Sequence, residues 1–535
     1  MTASAVGSVA ARPRFLPLAV GQLGYALREL WRTRVVFVFT VLFPLTWLVI
    51  IGFLAGDAVV DEASGVRVMQ FVTPSAITLG VLYAAFPTVA ISLAVARTQG
   101  ILRRLRGTPL PTGTYLAGRI AATVAVALFS TLVMLVVGVA LYHVQIVWRT
   151  VPATLVTLVV GVGCFAALGL AVAAVSRSVA VASAASIGAS VLLGFVSGLF
   201  TLGQLPAWAD TIASSLPLKP LNDALRDQFT PFHPGAGWHL GSLAVLVAWG
   251  LVGAVVAAVA FRREPGGRAR PADSRAAAVS ARPAQVAVAR PGRPSWAALT
   301  LAQLRWALRT TLREPGSVFF AVVMPLAVVV FVLLIVPASS DPGVPLLVAA
   351  GMTTWGAAVA GFVTVPAAFA LARERGVLTR LRGTPLPEAA HLTGRAGSAL
   401  ATALATAVLV FGIGALALGV VVRPAGIPAA VGVLLLGTAA LAACGLALGA
   451  VVPSSKAVNA IGLGILLPLS FFSDVFPTGG TPAWMSAVGA AFPLKHLANG
   501  LADALSPVGP GVAWLDVAVL VGWLVAGVAA ALYRR

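Results

Sequence analysis

The sequence predicts an all-α polytopic membrane protein of twelve transmembrane helices, built as two parallel six-helix repeats. Three observations carry that reading. Of the 535 residues, 59% are hydrophobic and only 10% are charged, whereas a soluble globular chain carries about a quarter charged residues. Arg97–Arg119 returns as Arg373–Arg395, with LRGTPLP identical in both. Apolar stretches of about twenty residues, the length that crosses a bilayer, occur six times in each half.

The repeat sets the domain organisation. A displacement of 276 residues also carries Pro206-Ala207-Trp208 onto Pro482-Ala483-Trp484, and Pro217-Leu218-Lys219 onto Pro493-Leu494-Lys495. A period of half the chain means two fused copies of one module, not a solenoid. The copies are expected at 1–261 and 296–535. Between them, 262–295 is rich in Pro, Ala and Arg without apolar periodicity and reads as a disordered cytoplasmic tether.

Spans are expected near 35–56, 70–96, 114–142, 151–175, 179–203 and 239–261. Their second-copy counterparts fall near 316–338, 344–372, 391–422, 426–452, 457–476 and 513–532. Arginine orients them. Arg97, Arg103, Arg104 and Arg106 crowd the loop after the second span, and the tether is basic, while Asp57, Asp61 and Glu62 make the preceding loop acidic. The positive-inside rule places both termini, the LRGTPLP loops and the tether in the cytoplasm. An even number of spans per half makes the copies parallel. The net charge of +20 is explained by this retained cytoplasmic arginine, not by a nucleic-acid-binding face. The strong preference for Arg over Lys, with Ala, Gly and Val abundant, is that of a GC-rich bacterial genome.

Each copy begins with an amphipathic helix ahead of its first span. In the first, about 22–34, Leu23, Leu27, Leu30 and Trp31 share an apolar face, with Arg28, Glu29 and Arg32 among the polar residues. In the second, about 300–314, Leu301, Leu304, Leu308 and Leu312 oppose Arg305, Arg309 and Arg313. Such helices lie in the membrane interface, and their polar faces are open to a cytoplasmic partner. Between the fifth and sixth spans, 206–238 and 477–511 are too polar and proline-broken to cross. They are expected as external elements that cap the bundle or gate an exit.

Several chemistries are excluded. No span carries Asp, Glu, Lys or Arg near its centre, which argues against ion coupling, since intramembrane charge is costly without function. Asp474, at the outer end of a fifth span, is a candidate substrate contact. No GxxxxGK[ST] phosphate loop precedes any lysine. His143, His233, His239, His391 and His496 have no metal-ligand spacing, and Cys164 and Cys444 lie singly within spans. No catalytic residue, metal or resident cofactor is expected. The N-terminus lacks the long apolar core of a signal peptide.

What remains is the repeated loop. Leu102 and Leu105 share one side of a short helix and Arg103 and Arg106 another. Gly107 ends it, and Pro109 and Pro111 prevent its continuation. Lipid anchoring alone would not call for the same Gly-Thr-Pro-Leu-Pro after the arginines of both copies, so the loop reads as a docking element.

These residues resemble the permease subunits of ABC-2 type exporters, whose loop after the second span reads like E-R-E-x-G-T-L-x-x-L-x-x-T-P-L. Arg373-Glu374-Arg375-Gly376-Val377-Leu378, then Leu381 and Thr384-Pro385-Leu386, fits well. Arg97-Thr98-Gln99-Gly100-Ile101-Leu102, then Thr108-Pro109-Leu110, fits with Thr98 in place of the acidic residue. The sequence is most similar to double-length actinobacterial permeases of antibiotic export, the tetronasin type. The resemblance implies that one chain supplies both transmembrane domains and that two copies of a separate ATPase bind below, holding the ATP and Mg. It makes Leu102, Arg103, Leu105, Arg106, Gly107, Thr108 and Pro109 coupling residues. In the second copy the set is Glu374, Leu378, Arg380, Leu381, Arg382, Gly383, Thr384 and Pro385. It also makes Phe86, Phe195, Phe362 and Phe471 candidates for a hydrophobic substrate path. The competing readings are a twelve-span secondary transporter of the major-facilitator kind and a non-transporting membrane scaffold. Against the first, LRRLRGTPLP has no Asp and two Pro where that family carries G-x-x-x-D-R-x-G-R-R.

Overall fold

The computed structural model of the protein describes residues 21–25, 27–28, 34–55, 58–61, 66–107, 112–199, 206–232, 235–262, 295–335, 343–384, 386–476, 482–508 and 511–533. The chain is helical almost throughout. Ten of these helices are long and apolar enough to cross a bilayer. In the first copy they are Met69–Thr98, Thr114–Tyr142, Trp148–Val175, Val179–Val196 and Leu240–Phe261; in the second, Val344–Glu374, Ala389–Ala417, Pro424–Val451, Ser455–Phe472 and Trp514–Tyr533. They are spans two to six of each copy. Two further apolar helices stand where the first spans are expected, and the second of them brings the spanning helices to eleven at most among the described residues. One is Arg34–Ala55, with Pro44 inside it, and the other is Gly316–Val332, set at 89° to the interface helix Trp296–Leu312. That right angle suits a helix lying along the membrane surface before the chain turns inward.

The chain packs as two compact units. One comprises residues 1–254 with 327–340 and 464–489; the other comprises 255–326, 341–463 and 490–535. The same frame recurs in both. Span 2 is its most buried helix, and it lies against span 4 through a glycine. A Cβ on Gly169 would stand 2.7 Å from the Phe86 carbonyl, and one on Gly445 would stand 2.8 Å from the Phe362 carbonyl. Close approach through small residues is how helices bind one another where lipid offers no hydrophobic drive.

The short helices after span 5 are Ala207–Ser215 and Leu218–Phe229 in the first copy, and Ala483–Gly489 and Pro493–Leu505 in the second. None is long enough to cross. Leu221 packs over Gly161 of span 4, and Leu497 over Gly437. A span 6 tryptophan ties down each element: Trp249 Nε1 donates to the Ser215 carbonyl at 2.9 Å, and Trp523 Nε1 to the Ala491 carbonyl at 3.0 Å.

The copies differ in their polar packing here. In the first, Gln70 Nε2 donates to the carbonyls of Phe229 and Gln145, and Gln228 Nε2 to Thr157 Oγ1 and the Gly237 carbonyl. In the second, buried His496 lies 2.5 Å from Asp516 through Nδ1 and 2.8 Å from the Ala490 carbonyl through Nε2. Burial first, and the Asp516 carboxylate second, hold the nearby Asp503 carboxyl above its ordinary value.

Two further features were not legible in the sequence. Val59–Asp61 and Val66–Arg67 form a small antiparallel ribbon in the acidic loop. The second copy carries π turns at Phe319–Val323 and Val359–Thr364. Pro325 and Pro366 follow them closely. A proline ring clashes with the carbonyl four residues earlier and removes one N–H, and widening the turn relieves both.

Gly169→Leu and Gly445→Leu are each expected to lower the melting temperature of the detergent-solubilised chain by several degrees, since backbone must move to admit the side chain, at a cost of about 1–3 kcal/mol. Gly163→Leu, with nothing within 4 Å of its Cβ direction, is expected to be tolerated. Asp503→Asn is expected to raise stability at neutral pH. Folding lifts the carboxyl's pKa, so its charge opposes folding above that value. The gain should fade as pH falls below the ordinary carboxylate range, where both states are protonated.

Candidate functional site

The repeated loop folds in the same way in both copies. Span 2 ends and the backbone turns through Gly100 (φ 70) or Gly376 (φ 64), a left-handed conformation that glycine adopts without strain. A six-residue helix follows, Ile101–Arg106 or Val377–Arg382. It closes when the Gly107 amide donates to the Arg104 carbonyl at 3.1 Å, and the Gly383 amide to Arg380 at 3.2 Å. In the second copy Thr384 reinforces the stop, its Oγ1 donating to the Leu381 carbonyl at 2.7 Å. Thr108, Pro109 and Pro385 lie outside the described residues, as do the side chains of Arg103, Leu105, Arg106 and Arg382.

The helix turns its apolar side inward. Leu102, Leu378 and Leu381 are half-buried, while Arg104, Arg380, Gly383 and Thr384 are exposed. Among the described side chains, the exposed face of the loop is therefore made of arginine, threonine and glycine. Arg104 Nη2 folds back onto the Gln99 carbonyl at 3.1 Å, and Arg380 Nη2 onto the Arg375 carbonyl at 3.0 Å. The matched geometry gives Arg104 the same standing as Arg380.

Sequence reasoning missed what anchors this loop. Arg97 Nη1 donates to the carbonyls of Ala173, Ala174 and Ser176 at 2.9, 3.1 and 3.2 Å. Arg373, its counterpart, donates to Ala450 at 3.3 Å and Val452 at 2.5 Å. These acceptors close span 4, whose last carbonyls have no partner within the helix. In the sequence both arginines read only as topological charge. Their equal spacing to the fourth span in the two copies was the available signal.

The acidic position is where the copies part. Glu374 accepts from the Ser455 amide at 2.7 Å and from Ser455 Oγ at 2.9 Å, at the first residue of the second-copy span 5. In the first copy Thr98 Oγ1 donates instead to the Val95 carbonyl of its own helix at 3.0 Å. Val179 stands where Ser455 does, and Ser178 caps its own span, accepting from the Val181 amide at 3.2 Å. Both members of the Glu–Ser pair are changed together.

The interface helices follow a different register from the rest of the repeat. Gln22 and Gln303, 281 residues apart, meet Gly118 and Gly394 of the third spans, with glutamine Cβ atoms 2.4 and 2.5 Å from a glycine Cβ position. The second copy is therefore five residues shorter between its first and second spans. Arg28, Arg309 and Arg313 are exposed. Glu29 and Arg32 lie outside the described residues.

Of the proposed path residues, Phe86 is 4% exposed with its ring 6.4 Å from Phe165, and Phe362 stands at the equivalent crossing beside Gly445. Phe195 meets Phe331 edge-on at 5.6 Å, and Phe471 lies 5.2 Å from Phe476. Asp474 is half-buried and takes a left-handed backbone, φ 55, as span 5 turns outward.

Fold and loop together define a duplicated multi-pass membrane protein whose copies each carry the same anchored surface helix. A family model described as ABC-2 type transporter matches residues 23–230 and again 298–505. The chain belongs to the ABC-2 type transporter family and carries two copies of its membrane component. None of the curated proteins compared with the chain matches it.

Glu374→Ala is expected to speed hydrogen exchange at the amides opening span 5 of the second copy, Ser455 first. The Ser178-capped start of the first-copy span should be unchanged. Equal protection at Ser455 before and after would show that the carboxylate does not hold that helix end.

Proposed function

We propose that the chain is the fused permease of an ATP-driven exporter, with both termini in the cytoplasm of a bacterial plasma membrane. Residues 1–261 and 296–535 are its two transmembrane domains and 262–295 their tether. Two copies of a separate ATPase subunit bind and hydrolyse ATP with Mg. The cargo is a hydrophobic or amphiphilic compound, such as an antibiotic, drug or lipid, in keeping with the resemblance to tetronasin-type exporters and with spans free of central charge.

One observation supports this reading above the others: the same guanidinium anchor behind both loops. A surface helix that merely floated on headgroups would transmit nothing. Arg97 and Arg373 tie the loop's root to the end of span 4, while the loop helix continues from span 2. Force applied at the exposed Arg104 and Arg380 faces therefore reaches two packed spans at once. The pair also gives one loop per ATPase.

Co-expression with a candidate ATPase tests this. The two should co-purify, and Arg104→Glu and Arg380→Glu should each lower cargo-stimulated ATP hydrolysis, about tenfold or more if each removes a charge-assisted contact. With Glu374 bracing only the second loop, Arg380→Glu is expected to cost more than Arg104→Glu. Cargo movement by the isolated chain under an imposed proton gradient would overturn the assignment.

A further inference from the structure

The third span of each copy carries an arginine one to two turns from its start, and the two are housed differently. In the first copy Arg119 is satisfied by side chains: Nε donates to Ser92 Oγ at 3.0 Å and Nη1 to the Tyr115 hydroxyl at 3.0 Å. In the second, Ala368 replaces Ser92 and His391 replaces Tyr115. Arg395 lies over the Trp306 ring at 5.1 Å, and its buried Nε has no hydrogen-bond partner among the described residues. His391 turns away, Nδ1 to Gln303 Oε1 at 3.0 Å, and its buried Nε2 is also unpartnered.

Beside Arg395 is a shallow hollow, about 310 Å³ when the open solvent at its mouth is counted, whose enclosed part is about 10 Å³, room for one water. Thr311, Ser317, Thr364, Ser398 and Thr402 are among its lining residues; Ser398 Oγ donates to the Arg395 carbonyl at 2.7 Å and Thr402 Oγ1 to the Ser398 carbonyl at 2.8 Å. At four of these positions the first copy is apolar: Leu30, Val36, Ala122 and Val126. Both π turns contribute too, through Ala321 and through Ala360 and Thr364, and such turns gather at functional sites. The second copy has therefore replaced the two side chains that hold Arg119 and leaves Arg395 Nε without a partner among the described residues, beside this hollow. An unpartnered guanidinium edge in a half-buried site is costly. A bound anion relieves that cost.

We propose that the open mouth of this hollow binds one phosphate-bearing group, on the second copy alone, at the membrane end where the interface helix joins span 1. The phosphate oxygens accept from the Arg395 guanidinium and from the hydroxyls of Thr311 and Thr364, the arginine contact being a charge-assisted geometry that its planar donors match well. Arg309 and Arg313 flank Thr311 in sequence and are exposed. Glu314 is the opposing group: it accepts from Ser317 Oγ at 3.3 Å, and its charge favours the charged form of Arg395. It competes with the ligand for the same donors. The phosphate is either a lipid headgroup or a free anion, and the chemistry is shared.

Calorimetric titration of the full detergent-solubilised chain separates these sources, using inorganic phosphate, dioctanoyl phosphatidylglycerol and, as a zwitterionic control, dioctanoyl phosphatidylcholine. Phosphate or phosphatidylglycerol should bind at one site per chain, the lipid alone if the source is a headgroup. Arg395→Gln should weaken binding about tenfold or more. The double variant Ala368→Ser/His391→Tyr, which restores the first copy's partners, should do the same while keeping every charge. Glu314→Gln should tighten binding, and Arg119→Gln should leave it unchanged. No binding by either anionic probe, two equal sites per chain, equal loss in Arg119→Gln, or full binding by the double variant would each overturn the proposal.

Discussion

The end of span 4 governs the architecture around the repeated loop of this chain. A transmembrane helix leaves its last carbonyls without partners, and each left unmet near lipid costs several kcal/mol. Here one guanidinium per copy meets them, from Arg97 or Arg373, and that arginine closes span 2. Its planar set of donors lets one side chain serve two or three carbonyls. The same bond that completes span 4 thus fixes where span 2 stops and where the loop helix begins. Gly169 and Gly445 lock the pair again further in, at the crossing with Phe86 and Phe362. Span 2, the loop helix and span 4 form one mechanical element in each copy.

On that shared frame the copies have diverged where polar groups meet. A homodimer must carry every residue on both sides of its axis; a fused chain has no such requirement. Glu374 braces Ser455 only in the second copy, and both positions differ in the first. Arg119 is housed by Ser92 and Tyr115, whereas Arg395 faces hydroxyls and open space. Gln70 and Gln228 organise one external element, His496 and Asp516 the other. Each change is matched by changes at its neighbours, as expected when buried polar networks must stay satisfied or acquire a new role.

The sequence exposed most of the frame and little of this divergence. Span length and hydropathy are local properties, so the ten long spans were legible, as were the glycine that ends each loop helix and the non-crossing segments marked by Pro-Ala-Trp. The third span of the second copy stops at Ala417, short of the expected 422, where Gly419 takes a positive φ. The role of Arg97 was hidden because its acceptors lie some 76 to 79 residues away and are backbone atoms, which no residue type announces. The five-residue register change was hidden because it falls between two good matches. Thr98 against Glu374 was visible as a difference, but its meaning required Ser455, a residue with no motif of its own.

The polar differences of the second copy converge on one helix. Thr364 and Ala368 of its second span border the hollow beside Arg395, and Glu374, at the end of that span, holds Ser455. The π turn at Val359–Thr364 lies immediately before them. In the first copy the corresponding span is one uninterrupted α-helix, Met69–Thr98, despite Pro74 and Pro87. A helix with a widened turn, a cation-lined hollow at its flank and a carboxylate brace at its tip has several ways to respond to what binds near it. A continuous helix packed against its neighbours along most of its length has fewer. The first copy's second span is thus the more regular of the two, and the second copy's carries the polar groups that set the copies apart.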